Sequence, residues 1–177
     1  ENALTGSLSP STLPDALTWP RPVHRLDYST SGLLLVAKTT GAQVFLGQRF
    51  EGRDIHKRYC AVVMGKLDAS GQVDEPISGL PSHSKYIPVE TVPSLRSGHV
   101  TQVDLHPVTG RTHQLRIHMA AIGHPIVGDR KYGDNKDGFS RLALHSKSIC
   151  FPHPMRDELM TMETKVPGCL RKIVGVV

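Results

Sequence analysis

Val23-His24-Arg25-Leu26-Asp27-Tyr28-Ser29-Thr30-Ser31-Gly32-Leu33-Leu34-Leu35-Val36-Ala37-Lys38 is the stretch around which the rest of the chain is organised. Its second half, Leu33 to Ala37, is a short apolar run bounded by Gly32 and Lys38, which predicts a strand over 33–38 buried on both faces. The first half has the opposite character. His24, Arg25 and Asp27 crowd two basic groups and a carboxylate into four positions ahead of a Ser/Thr/Gly turn. A rigid strand with a charged loop at its mouth is a good way to hold a reactive side chain still. By itself, though, an Asp in such a loop more often pairs a nearby arginine or caps the turn than reacts.

Working outward, residues 1–22 are rich in Ser, Thr, Leu and Pro and read as an extended lead-in with one helical turn at most. Downstream of the strand, Thr40-Gly41-Ala42-Gln43 fits a capping box, and Ala42, Phe45, Leu46 and Phe50 follow helical spacing up to Gly52. Residues 57–65 alternate as a strand with Tyr59, Ala61 and Val63 on one face. Residues 66–96 are rich in Gly, Ser and Pro and hold short strands and loops with no readable register. Val100–His106 reads as a strand stopped by a turn at Pro107–Gly110. A helix is predicted over 112–122, with Leu115, Met119 and Ile122 inward and Gly123 at its end. Strands follow at 142–149 and 159–166, separated by Pro152 and Pro154. Strands outnumber helices and do not alternate with them, so the expected class is α+β with a mixed or antiparallel sheet.

At 177 residues the chain is long enough for one domain with a real core and short of two. Apolar content of 38% and charged content of 21% are ordinary for a soluble globular protein. No window approaches the roughly 18 apolar residues of a membrane span. The net charge of +5 suits a polyanionic partner without demanding one. The three cysteines, Cys60, Cys150 and Cys169, are odd in number and widely spaced, so no disulfide framework or CxxC zinc motif is implied and a reducing, intracellular compartment is the default.

Four blocks carry a resemblance. His24-Arg25-Leu26-Asp27 with Thr30-Ser31-Gly32-Leu33-Leu34 resembles the signature of the RluA-type pseudouridine synthases. Gly110-Arg111-Thr112-His113-Gln114-Leu115-Arg116-Ile117-His118-Met119, followed by Gly123-His124-Pro125-Ile126-Val127-Gly128-Asp129, resembles that family's second long signature. Lys57-Arg58-Tyr59 with Ala61, Val63 and Gly65 is similar to its tyrosine-bearing strand, and Arg141-Leu142-Ala143-Leu144-His145 to its late strand. The blocks fall in the family's order from about Val23 to Val166. The resemblance implies a mixed, mostly antiparallel curved sheet with flanking helices and a basic catalytic cleft across its middle. The family's Lys-Pro-x-Gly strand, which precedes the first block, does not occur in residues 1–22. The strand either lies upstream of Glu1 or has been lost, so 1–22 are read as an extended lead-in, complete or truncated, and 23–177 as the catalytic domain.

The implied reaction isomerises uridine in RNA, breaking the glycosidic bond and rejoining C5 of the uracil to the ribose. It involves no redox change, so no cofactor is expected. Asp27 is by position the catalytic carboxylate, suited to nucleophilic attack or to stabilising a sugar intermediate. Arg116, about a quarter-turn off the apolar stripe, is expected to border the cleft and hold Asp27 ionised and oriented. Read on spacing alone, it would pair some surface acid. Tyr59 and Leu144 are core residues by default; the resemblance makes Tyr59 the ring against the flipped uracil and Leu144 the floor of the base pocket. Arg25, two residues before Asp27 in an extended segment, is read as a stacking cation that holds the unstacked nucleotide, against the alternative that it pairs Asp27 or a nearby acid. No metal is expected: His113, His118 and His124 lack a completing carboxylate or cysteine, and positions 113 and 118 do not share a helical face.

The expected partner is RNA, whether ribosomal, transfer or messenger, and the protein is read as a monomer. Two other classes compete: a non-catalytic RNA-binding module, opposed by the presence of Asp27, Tyr59 and Arg116 together, and a nucleic-acid glycosidase, which typically needs two carboxylates at a fixed separation.

Overall fold

The computed structural model describes residues 7–133 and 139–175, so the first six residues of the expected lead-in lie outside the described residues. Its strands are β1 (Ala16–Pro22), β2 (Ser31–Gly32), β3 (Val36–Thr39), β4 (His56–Met64), β5 (Gly71–Val73), β6 (Ser84–Ser94), β7 (Gly98–Pro107), β8 (Leu144–Pro152) and β9 (Leu159–Glu163). The helices are α1 (Thr40–Glu51), α2 (Gln114–Ala121) and the short α3 (Gly168–Arg171), which runs into a 3-10 turn at Lys172–Val174. The class is α+β, as expected.

Strand β4 is the middle of the molecule. It pairs antiparallel with β7 on one side and β8 on the other, in a seven-stranded sheet of order β2-β8-β4-β7-β6-β5 with β9 added along β8. Paired on both sides and covered on both faces, it reads Tyr-Cys-Ala-Val-Val without a polar break, and Tyr59 to Val63 are all buried. Among the described residues the one parallel pair is β2 on β8. The main core gathers Leu115 and Met119 of α2 with Tyr59, Ala61, Val63, Val103 and Leu105, which share one face of β4 and β7. Leu170 and Val174 close it from the C-terminal turns, elements the sequence reading did not foresee beyond Val166.

Residues 66–96 resolve into β5 and β6, and the prolines explain why they resisted reading. Pro88 and Pro93 lie in β6 beyond the three residues that pair with β5, so their missing N–H groups fall on an unpaired edge. The same holds for Pro20 and Pro22 in β1, which pairs only with β3. The lead-in is thus half strand, and no helical turn occurs in its described part.

The apolar run Leu33–Ala37 departs from expectation. It is not one strand buried on both faces but a crossing between two sheets: Ser31–Gly32 belongs to the large sheet and Val36–Thr39 to the β1–β3 ribbon, where burial alternates. Gly32 forces the change of direction. It sits at φ +112°, and a Cβ there would lie 2.2 Å from the Ser146 carbonyl oxygen. Past it, Leu33 and Leu35 turn into a second apolar cluster with Leu46, Ile55, Ile149 and Phe151, while Leu34 remains 39% exposed. Helix α1 starts one residue earlier than the capping box implied. Thr39, in extended conformation, accepts the Ala42 N–H at 3.1 Å, and the Thr40 N–H that the box assigns to Gln43 goes to the Asp15 carbonyl instead.

Candidate active site

Asp27 sits on a loop anchored at both ends. On the upstream side Val23 N–H bonds to Leu35 O, and the Leu35 N–H donates to His24 Nε2 at 3.0 Å. His24 must therefore be neutral, with its proton on Nδ1. Burial, together with the charge of Lys57, pushes its pKa down to about 4. On the downstream side the Asp27 carbonyl accepts Thr30 N–H at 2.8 Å, closing a β-turn with Tyr28 and Ser29 at its tip, and Ser31–Gly32 then joins β8. Leu26 packs into the main core and Val23 into the second cluster. The segment around Asp27 is coil, not the extended strand assumed for Arg25. Arg25 is exposed at the cavity wall and makes no ion pair with a described carboxylate, so the pairing alternative is not what the structure adopts.

Helix α2 brings the guanidinium. Arg116 Nη1 lies 3.8 Å from Asp27 Oδ2, with the arginine side chain 10% and the aspartate 18% exposed. The other edge of the fork donates two hydrogen bonds of 2.7 Å to Asp129, Nε to Oδ2 and Nη2 to Oδ1. Asp129 Oδ1 also accepts the amides of Lys131 and Tyr132. Burial alone would raise the Asp129 pKa; the Arg116 bonds, the two amides and the guanidinium charge outweigh it and hold the carboxyl below its ordinary value. The Asp129 bonds raise the Arg116 pKa in turn, against burial, with Asp27 adding to the effect. Arg116 is thus a fixed cation aimed at Asp27.

A second group faces the same carboxylate. His113 Nε2 is 4.0 Å from Asp27 Oδ1, and its Nδ1 is 3.0 Å from the Tyr132 hydroxyl. His113 caps α2 in a left-handed conformation, φ 57°, with no capping bond from its side chain, leaving the ring for this contact. Tyr132 also lies under the Arg116 guanidinium, 5.1 Å from ring centre to Cζ. Gln114 latches the preceding turn: its Oε1 accepts Thr109 Oγ1 and Arg111 N–H, and its Nε2 donates to His83 O and Ser84 Oγ.

Asp27, Arg116, His113 and Gln114 line a cavity of about 500 Å3. Tyr59 and Leu144 are both on its wall, 8% and 3% exposed, brought to one face by the pairing of Tyr59 with Ser146 and of Ala61 with Leu144. Burial pushes the Tyr59 hydroxyl up to about 12; the Ser146 bond works the other way and the Asp27 charge adds to the rise. The phenol is therefore protonated at neutral pH. Lys57, Arg53 and Arg111 make the wall basic, and burial holds the Lys57 ammonium below its usual pKa.

All five residues expected from the sequence, Asp27, Arg25, Tyr59, Arg116 and Leu144, border this one space. Sequence reasoning missed Asp129, His113 and Tyr132 as a set, and Lys57. Asp129 was visible as part of a quoted block; nothing in the spacing revealed that it clamps Arg116. The histidines part company. His118 is fully buried and bonds through Nε2 to Ser82 and Glu75 O, and His124 bonds Met64 O, so both are structural, while His113 belongs to the site. Among the described residues no three His, Cys, Asp or Glu side chains gather at metal-binding distance.

A mostly antiparallel sheet, with the Asp27 carboxylate and a clamped arginine on the wall of a basic cavity, defines an α+β domain suited to chemistry on an anionic polymer. The chain belongs to the RNA pseudouridylate synthase family, whose match covers residues 7–121. It is 34% identical to ribosomal large subunit pseudouridine synthase D of Yersinia pestis, over 92% of this chain and 58% of that protein. To the dual-specificity RNA pseudouridine synthase RluA of Vibrio vulnificus it is 41% identical, over 75% and 60%. The chain thus spans a little over half the length of these curated relatives. Among solved structures it resembles human RNA pseudouridylate synthase domain containing 1, with TM-score 0.74 and 30% identity over 82% of this chain and 69% of that one.

Proposed function

We propose that the chain is an RNA pseudouridine synthase acting as a monomer without a cofactor, with residues 23–177 as its catalytic domain and the Asp27 carboxylate as its catalytic group. The observation that carries this reading is the geometry at Asp27: a carboxylate on the wall of a basic cavity, 3.8 Å from an arginine that Asp129 holds by two further bonds. In the reaction the N1–C1′ bond breaks, a C5–C1′ bond forms, the C5 hydrogen leaves to water and N1 ends protonated, so no oxidant or reductant is consumed. Arg116 keeps Asp27 ionised and turned to the sugar. Tyr59 packs its ring against the uracil and keeps its hydroxyl proton available as donor. Leu144 floors the base pocket. Arg25, exposed and without an acidic partner among the described residues, holds the nucleotide once it has left the stack, a displacement costing on the order of a few kcal/mol.

The test is release of tritium from RNA labelled at uridine C5. An isomerase exchanges that hydrogen and keeps the base on the chain; a glycosidase frees the base, and a binding module does neither. Incubation of purified protein with bulk labelled RNA that yields neither exchange nor pseudouridine in the nuclease digest overturns the reading. Ribosomal RNA is the first substrate to try, since several relatives are named as synthases of the large ribosomal subunit.

A further inference from the structure

Tyr28 is the residue after Asp27, and its side chain is completely exposed. It stands at the tip of the turn closed by the Thr30 N–H to Asp27 O bond, which points it away from the protein rather than into either apolar cluster. An aromatic ring wholly in water, one residue from the reacting group, buries nothing in the free protein.

Beside it lies a second cavity of about 620 Å3, distinct from the one that holds Asp27. Its wall includes Tyr28, Arg130, Lys131 and Arg141, all exposed, and none of these three cations forms an ion pair with a described carboxylate. Asp129 also faces it but is already neutralised by Arg116. The two cavities meet at Thr30 and Arg116, which line both. A chain lying with one nucleotide in the first cavity therefore continues directly across Tyr28 into the second. An exposed aromatic over a groove of cations with no carboxylate partner among the described residues is the physical arrangement that binds single-stranded nucleic acid, the ring stacking on a base and the cations following the phosphates.

We propose that Tyr28, Arg130, Lys131 and Arg141 form a binding station for the nucleotide adjoining the isomerised uridine, with that neighbour's base stacked on Tyr28 and its phosphates in the second cavity. The proposal rests on the RNA-isomerase reading of the Asp27 cavity and adds to it a requirement for unpaired RNA next to the target. Stacking tolerates any base, because every base offers a π-face, so the station selects for strand state rather than for sequence.

The experiment uses fluorescein-labelled nonameric oligoribonucleotides with one uridine, binding being followed by anisotropy. A matching set carries an abasic residue on the 5′ or the 3′ side of that uridine. Tyr28→Ala weakens binding of the intact oligonucleotide about tenfold, and Tyr28→Phe leaves it within about twofold, since the ring and not the hydroxyl stacks. One abasic ligand shows the same loss with the wild type, and Tyr28→Ala adds nothing further on that ligand. Arg130→Gln with Lys131→Gln lowers the slope of log affinity against log salt by about 0.7 per phosphate contact removed.

Tyr28→Ala that binds as tightly as the wild type, or that loses equally on intact and abasic ligands, overturns the stacking station. If the wild type still releases tritium from RNA in that case, the isomerase reading stands by itself. A wild type that binds no oligonucleotide and releases no tritium overturns both.

Discussion

At Asp27 a change of one atom separates charge from shape. Asp27→Asn removes the carboxylate charge and almost no volume from a side chain that is 18% exposed. Tritium release is expected to fall below detection, while thermal unfolding shifts by no more than a few degrees; near-normal turnover in the purified variant contradicts the assigned role. Asp129→Asn tests the clamp. An asparagine oxygen keeps the amides of Lys131 and Tyr132, but its NH2 faces the Arg116 donors and half the fork is lost. Breaking a buried pair by removing one partner costs about 3 kcal/mol. Turnover is expected to drop tenfold or more with RNA affinity little changed, read by steady-state tritium release beside urea denaturation. Asp27, Tyr59, Arg116 and Leu144 were legible in the sequence because each stands in a block of recognisable order. The Asp129 clamp and the His113–Tyr132 contact were not: they join loops to a helix end through side-chain direction, and spacing carries no signal for that.

At the scale of elements, Gly32 decides where the loop bearing Asp27 docks. Any Cβ there meets the Ser146 carbonyl oxygen at 2.2 Å on a backbone at φ +112°. Gly32→Ala must therefore strain the turn or part β2 from β8, at about 3 kcal/mol. For a chain of this length that corresponds to a fall in Tm of about 6–12 °C, measurable by calorimetry; an unchanged Tm would show that the pairing is dispensable. The same position explains the misread strand. Leu33 to Ala37 is as apolar as a doubly buried strand, yet its residues divide between two sheets and a cluster under α1, a partition set by distant partners such as Ser146 and Phe151. By contrast β4, β7 and α2 were readable, because their hydrophobic periods match the faces they bury. The edge strands β1 and β6 were not, since their prolines argue against strand unless one side is known to be unpaired.

For the molecule as a whole, acid should weaken the fold before its carboxylates titrate. The His24 pKa is about 4 in the folded state against 6.5 when unfolded, so between these values the unfolded chain takes up the proton and the folded one does not. Its contribution is complete above about pH 6.5, declines as pH falls towards 4 and is constant below that. It amounts to at most about 3 kcal/mol. Burial lowers His106, His118 and His145 in the same direction. Urea midpoints should fall steadily from pH 7.5 to 4.5, and the gap between the wild type and His24→Gln should narrow over the same interval. A gap of constant size would place the acid sensitivity elsewhere.

The two-residue parallel pair β2–β8 also governs the order in which the molecule is assembled. Ser31 and His145, joined there by a 2.8 Å side-chain bond, lie 114 residues apart, whereas β6 and β7 adjoin across a short turn and β4 reaches β7 without any help from the N-terminal third. Distant pairings carry the largest loop-closure cost and form late. During refolding from urea, circular dichroism should therefore recover ahead of enzymatic competence, because the main sheet can stand before the loop bearing Asp27 has been delivered to Arg116. A ribosome releasing this chain faces the same schedule: the aspartate emerges well ahead of β8 and acquires its surroundings only when that strand has been made.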